Sequence, residues 1–167
     1  MNRFAVIALG SNLGDSRGII LRAMALLHDR ASSEWRTSSL YSSTPVDCPP
    51  ESPHFVNATV SFLPRDGETP HSLLDWLLDL EKKQGRLRKG VPNEARPLDL
   101  DLIAFGDLIV ATDRLILPHP RAHLRRFVLE PMAEILPTFV FPGFALNVSE
   151  MLGDLPLGET VICLSDR

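Results

Sequence analysis

The chain has 167 residues, with 17 Lys+Arg against 21 Asp+Glu for a formal net charge of −4, and 44% of its residues are hydrophobic. This balance suits one globular domain, residues 1–167, that buries its own core, and it argues against a disordered, fibrous or nucleic-acid-coating chain. No apolar run approaches the roughly 18 residues of a membrane span, and Cys48 and Cys163, 115 positions apart, match neither a disulfide framework nor a zinc-ligand spacing. Met1-Asn2-Arg3-Phe4 leads straight into a strand-like run without a secretory cleavage site, so a cytoplasmic location with reduced thiols is expected.

In chain order, residues 4–9 read as a short buried strand and Gly10-Ser11-Asn12-Leu13-Gly14 as a turn. Ile19, Ile20, Ala23, Met24 and Leu27 then recur at helical spacing behind Asp15, a suitable N-cap. Residues 36–41 and 56–62 read as strands, separated by a loop over 43–53 that carries four prolines. Thr69-Pro70 predicts a helix start, Leu73, Leu74, Leu77, Leu78 and Leu80 its apolar face, and Gly85 its stop. A strand follows at 98–105, a turn at Gly106-Asp107, a second strand at 108–110, and a last helix at 127–135 before Pro137. The order strand, helix, strand, strand, helix, strand predicts an α+β, ferredoxin-like sandwich: an antiparallel sheet with helices packed on its faces.

The chemistry concentrates in one stretch. Between Lys82 and Arg96 six cations stand against the single acid Glu94, and Leu98-Asp99-Leu100-Asp101-Leu102 follows at once. On a strand, alternate side chains share a face, so Asp99 and Asp101 project together, about 7 Å apart at Cα, while the leucines anchor the other side. Two carboxylates on one face suit Mg²⁺, which takes one or two such ligands and fills its other positions with water and phosphate oxygens. A lone alternating D-x-D is more often an exposed strand face. A cationic loop running directly into it supplies phosphate donors beside a metal site, which is what phosphoryl-type transfer requires. Glu81 borders the apolar face of its helix, where a carboxylate needs a partner. His119 lies between two prolines with Arg114 before it and Arg121, Arg125 and Arg126 after it, a second bank of phosphate donors. Phe55 and Asn57 share a strand face, an aromatic platform beside an amide that suits a planar heterocycle.

Taken together these residues resemble the 6-hydroxymethyl-7,8-dihydropterin pyrophosphokinases of folate biosynthesis. The resemblance rests on Ala8-Leu9-Gly10-Ser11-Asn12-Leu13-Gly14, the stretch 41–45, Phe55-Val56-Asn57-Ala58, Glu81 with Gly85-Arg86-Leu87-Arg88, Arg96-Pro97-Leu98-Asp99-Leu100-Asp101, and Leu117-Pro118-His119-Pro120-Arg121 with Phe127 eight residues beyond His119. It implies transfer of the β,γ-pyrophosphoryl group of ATP to the pterin hydroxymethyl group, releasing AMP, with two Mg²⁺ ions. By position it implies Asp99 and Asp101 as metal ligands and Arg86 and Arg96 as loop arginines that meet the phosphates, these four forming the catalytic set. Glu81, Arg88, Leu102, Arg114, His119 and Arg125 match positions around ATP. Phe55 and Phe127 match the walls of the pterin site, and Asn57, Thr44, Pro45, Val46 and Asp47 its polar surroundings. ATP and the hydroxymethyldihydropterin are then the partners, with neither nucleic acid nor membrane, and a monomer is expected. Two alternatives remain at this point. One is a non-catalytic RNA-binding module of the same fold, although no K/R-G-F/Y-G/A-F-V-x-F/Y pattern appears. The other is a different Mg²⁺-dependent nucleotidyl or phosphoryl transferase.

Overall fold

The structure is a computed structural model that describes residues 3–44, 54–84 and 97–164. Strand β1 (Ala5–Ser11) is buried along its whole length. Helix α1 (Ser16–Arg30) begins at Asp15, whose carboxylate accepts the Gly18 N–H at 3.2 Å. Strands β2 (Ser33–Thr37), β3 (Tyr41–Ser43) and β4 (Phe55–Leu63) follow, then α2 (Pro70–Lys83) and β5 (Asp99–Phe105). Helix α2 starts on a reciprocal cap: Thr69 Oγ1 accepts from the Ser72 N–H at 3.0 Å, and Ser72 Oγ accepts from the Thr69 N–H at 2.9 Å.

The main sheet runs β5-β1-β4-β3-β8, with every pairing antiparallel and β2 also on β4; β8 is Val161–Cys163. Counting β2 and β3 as one interrupted strand, this is the ferredoxin-like order that the sequence predicts, each edge of β1 covered by a strand distant in sequence.

The sheet is covered on both faces. On one, α1 and α2 enclose Ile7, Leu9, Val60, Phe62, Leu100 and Leu102. On the other, α3 (Arg126–Ile135) and α4 (Val148–Asp154) cover Val6, Ala8, Ile103 and Ala104. A bulge opposite Val6 and Ile7 lets the adjacent Ile103 and Ala104 both join this second core.

Four local expectations need correction. The predicted strand 36–41 is broken, because Ser38 Oγ accepts the Thr59 N–H at 2.9 Å and so replaces a strand carbonyl in the ladder. Gly10 and Ser11 extend β1 instead of turning. Of residues 108–110 only Val110 is in a strand, β6 (Val110–Ala111), which pairs with β7 (Ile116–Leu117) in a ribbon separate from the main sheet. Finally, the helix at 126–135 is not the last: α4 follows, capped by Asn147 and Glu150.

Candidate active site

The alternation 98–102 holds: Leu98, Leu100 and Leu102 are buried, and Asp99 and Asp101 are partly exposed between them. Strand register extends this row across the sheet. Asp99 stands opposite Gly10, Gly10 opposite Asn57, and Asn57 opposite Tyr41. Asp101 stands opposite Ala8. Residues directly opposite on antiparallel strands share a face, so the two carboxylates, the amide and Phe55 all lie on the side covered by α3. Gly10 is what makes the row possible. A Cβ there would lie 3.3 Å from Asn57 Nδ2 and 3.5 Å from Phe55 Cδ1, so the amide and the ring occupy the space a side chain would take. Asn57 is 4% exposed, and its Oδ1 accepts a 2.5 Å hydrogen bond from Ser43 Oγ. Gly10 and Ser43 are the site residues that the sequence reading does not single out. Gly10 is read from the sequence as part of a turn, and Ser43 falls in the stretch 41–45 with no signal of its own; both places depend on the partner strand β4.

β5 is an edge strand, and along its open edge runs a cleft of about 340 Å³. It is lined by Leu74, Leu78 and Glu81 of α2, by Asp99 through Leu102, by residues 112–116, and by His119 and Pro120. Six residues expected around metal and ATP therefore meet in one place: Glu81, Asp99, Asp101, Leu102, Arg114 and His119. Glu81 is 3% exposed and accepts the Leu100 N–H at 2.6 Å, which joins the end of α2 to the edge strand. One partner of Glu81 is thus a backbone amide, bonded where a further strand would otherwise pair. Arg114 is exposed and forms an ion pair with Asp75 of α2.

His119 donates its backbone N–H to the Ile103 carbonyl at 2.8 Å, and its Nδ1 accepts the Arg121 N–H at 3.2 Å. With Nδ1 an acceptor, the ring proton sits on Nε2. Burial, then the charges of Arg125 and Arg121, push its pKa down to about 4 against the opposing pull of Asp99, so the ring is neutral at pH 7. Arg125 does not line the cleft; its guanidinium lies 5.5 Å above the Phe127 ring. Phe127, partly buried at the start of α3, packs against the core of that same sheet face. Thr44, at the end of β3, donates its N–H to the Thr160 carbonyl at 3.2 Å. Arg86, Arg88, Arg96, Pro45, Val46 and Asp47 lie outside the described residues.

The sheet order and the cleft along its edge strand place the protein among the α+β sandwiches of ferredoxin-like type. The model of the 7,8-dihydro-6-hydroxymethylpterin-pyrophosphokinase (HPPK) family matches residues 6–137, and the chain belongs to this family. A 2-amino-4-hydroxy-6-hydroxymethyldihydropteridine pyrophosphokinase of Bacillus subtilis is 39% identical over 136 residues, 81% of this chain and 79% of the relative. A folate synthesis bifunctional protein of Arabidopsis thaliana is also 39% identical, over 133 residues, but the chain spans only 27% of that protein's length. The crystal structure of wild-type Plasmodium falciparum HPPK-DHPS superimposes on 92% of this chain and 44% of its own with a TM-score of 0.69 at 14% identity, a likeness of fold.

Proposed function

We propose that this protein transfers the pyrophosphoryl group of ATP to 6-hydroxymethyl-7,8-dihydropterin, giving AMP and the pterin diphosphate, as a single domain over residues 1–167. The observation that carries this reading is the cross-strand row Asp99, Gly10, Asn57, which sets a carboxylate pair at a cleft beside an amide and an aromatic ring on one sheet face.

The donor set fits Mg²⁺: Asp99 and Asp101 are partly exposed, share a face, and stand opposite the small residues Gly10 and Ala8. These two aspartates would hold the metal, which when bound neutralises phosphate charge and acidifies the attacking hydroxyl. The nucleotide occupies the cleft along β5. There the edge strand offers its outward backbone groups near Leu102 to a base, and Leu74 and Leu78 an apolar wall. Neutral His119 donates from Nε2 to a phosphate oxygen, its orientation fixed from Nδ1. Arg114 and Arg125 supply charge on either side of it, and Arg86, Arg88 and Arg96 add planar, permanently charged forks that hold phosphates bidentately. The pterin lies between Phe55 and Phe127. Asn57 orients it: with Oδ1 held by Ser43, its amide N–H groups face the ring.

Incubation with ATP, Mg²⁺ and 6-hydroxymethyl-7,8-dihydropterin, followed by identification of the nucleotide product, tests this directly. AMP is expected. ADP would indicate a simple phosphoryl kinase, and no turnover a binding module.

A further inference from the structure

Outside the cleft, Glu134, near the end of α3, makes a dense polar contact between helix and sheet. Its Oε1 accepts from the Ser39 N–H at 3.0 Å and the Tyr41 hydroxyl at 2.7 Å, and its Oε2 from the Ser39 N–H at 3.1 Å and Ser39 Oγ at 3.0 Å. One carboxylate thereby holds the break between β2 and β3 and the buried Tyr41 of β3, 7% exposed. Tyr41 stands opposite Asn57, and Ser43, two residues on, holds the Asn57 amide. At the other end of the same helix is Phe127. Seven residues are two turns, so Phe127 and Glu134 share one face of α3, about 10 Å apart along its axis. The Phe127 end has weaker local support: its N-cap, Arg125, makes no side-chain cap bond, and Pro131 offers no N–H to the Phe127 carbonyl. Arg126 reaches the Leu155 carbonyl only at 3.5 Å.

We propose that Glu134 is a positioning residue for pterin recognition: by gripping Ser39 and Tyr41 it fixes α3 on the sheet and so holds Phe127 on the face that carries Phe55 and Asn57. This rests on the pterin site proposed above and adds to it a residue remote from the substrate. The clamp ties Phe127 to the strand pair that carries Asn57 and leaves the cleft along β5, on the other side of β1, untouched. Its loss therefore loosens the pterin more than the nucleotide, of whose proposed contacts only Arg125, the N-cap of α3, belongs to this helix. The buried Tyr41 phenol, its pKa raised first by burial and then by its bond to Glu134, stays protonated and able to donate throughout the working range.

The test is calorimetry of 6-hydroxymethylpterin and of a non-hydrolysable ATP analogue against the full chain and four variants. Glu134→Ala and Tyr41→Phe are expected to raise the Kd of the pterin roughly tenfold and severalfold, with that of the nucleotide within about twofold. Glu134→Gln, which keeps an acceptor oxygen for Ser39 and Tyr41, is expected to restore most of the affinity. A purely structural role would weaken both ligands alike in proportion to lost stability, and that result overturns the proposal. So does unchanged pterin affinity in Tyr41→Phe together with Glu134→Ala. Phe127→Ala separates the two levels of the argument. If it spares pterin binding, the pterin site itself is misplaced; if it weakens pterin binding while the clamp variants do not, only the clamp fails.

Discussion

The two faces of the central sheet are built to different rules by the same strands. Toward α1 and α2, the strands present Ala5, Ile7, Leu9, Ala58, Val60, Phe62, Leu100 and Leu102, a closed apolar layer. A bidentate polar bridge lies at the rim, where Arg30 meets Glu68 at 2.8 and 3.1 Å and stacks 5.3 Å from Trp76. Toward α3, Val6, Ile103 and Ala104 join a second apolar core, and the remaining positions include Ala8, Gly10, Asn57, Thr59, Ser61, Asp99 and Asp101. These remaining side chains are small or polar, and among the described residues the hydroxyls of Thr59 and Ser61 are buried without a hydrogen-bond partner, as is that of Ser11 on the opposite side. Each such group costs about 1–3 kcal/mol. The period of two along a strand allows this division of labour: one face holds the fold, and the other gives up stability to leave room for ligands and charge.

The largest expected effect breaks the second face alone. Asp101→Ala should lower turnover on the order of 10³-fold or more, the scale of removing a group that holds charge at the reacting phosphates. The midpoint of thermal unfolding should shift little, because the apolar side of β5 is unaltered. Steady-state kinetics beside a melting curve checks both. Near-normal turnover in the folded variant would sink the metal assignment and with it the polar-face reading.

The reciprocal change is Phe62→Ala. Phe62 is fully buried on the α1 side and stacks on Trp35 with ring centroids 6.0 Å apart. Its truncation should cost roughly 3–5 kcal/mol of stability in urea titration. Turnover per folded molecule should stay within about twofold, since Phe62 lies on β4, two strands away from the cleft along β5. A selective loss of activity at unchanged stability would show that the two faces are not separable.

Much of this division was legible beforehand, and the misses have physical causes. The leucines and aspartates of 98–102 alternate at the strand period, so their faces could be assigned from spacing alone. Thr69-Pro70 and Asp15 announced their helices because caps act within a few residues. What failed were features decided across the sheet. The break at residues 38–40 depends on one hydroxyl reaching Thr59, 21 positions away. The place of Gly10 in a strand depends on having Asn57 and Asp99 on either side of it. The helix at 148–154 was readable from Asn147-Val148-Ser149-Glu150, a capping-box pattern, but its short run of apolar residues carried little weight. β8 has only three residues and gains its strand character from Tyr41, Ser42 and Ser43 beside it. The separate ribbon at 110–117 follows the same rule, since nothing in residues 108–110 reveals which strand they will meet.

The pH dependence of folding sharpens the contrast. His119 has its folded pKa pushed down to about 4 from an ordinary 6.5, so between those values the unfolded chain binds more protons than the native one. Stability must then fall as pH drops from about 6.5 to about 4, by an amount on the order of 1–2 kcal/mol after allowing for partial exposure. On the other face Glu68 is lowered. Burial alone would raise it, but the bonds from Arg30 and Ser72 and the Arg30 charge outweigh that cost. Its contribution is present above the ordinary value of 4.5 and disappears only below it. Urea titrations of the metal-free protein across pH 7 to 4 should show His119→Gln flattening the upper part of the decline and Glu68→Gln the lower. A profile unaffected by His119→Gln would mean that the ring is not held neutral.

The smallest expected effect concerns Arg114, the cleft residue whose charge is already engaged by Asp75. Both side chains are more than half exposed, at 53% and 60%, so the pair should contribute under about 0.5 kcal/mol to folding. Its consequence for binding is more informative than its stability. A phosphate entering the cleft must draw the guanidinium away from Asp75, and in water the exchange is nearly even. Asp75→Asn should therefore leave the unfolding midpoint unchanged and tighten ATP by no more than about threefold, an advantage that added salt removes as it screens both partners. Pterin affinity should not move, because the change lies beyond the edge strand and away from the sheet face. If Asp75→Asn instead weakens ATP, the carboxylate orients Arg114 toward the phosphates, and the pair belongs to the ATP site as a support and not as a competitor.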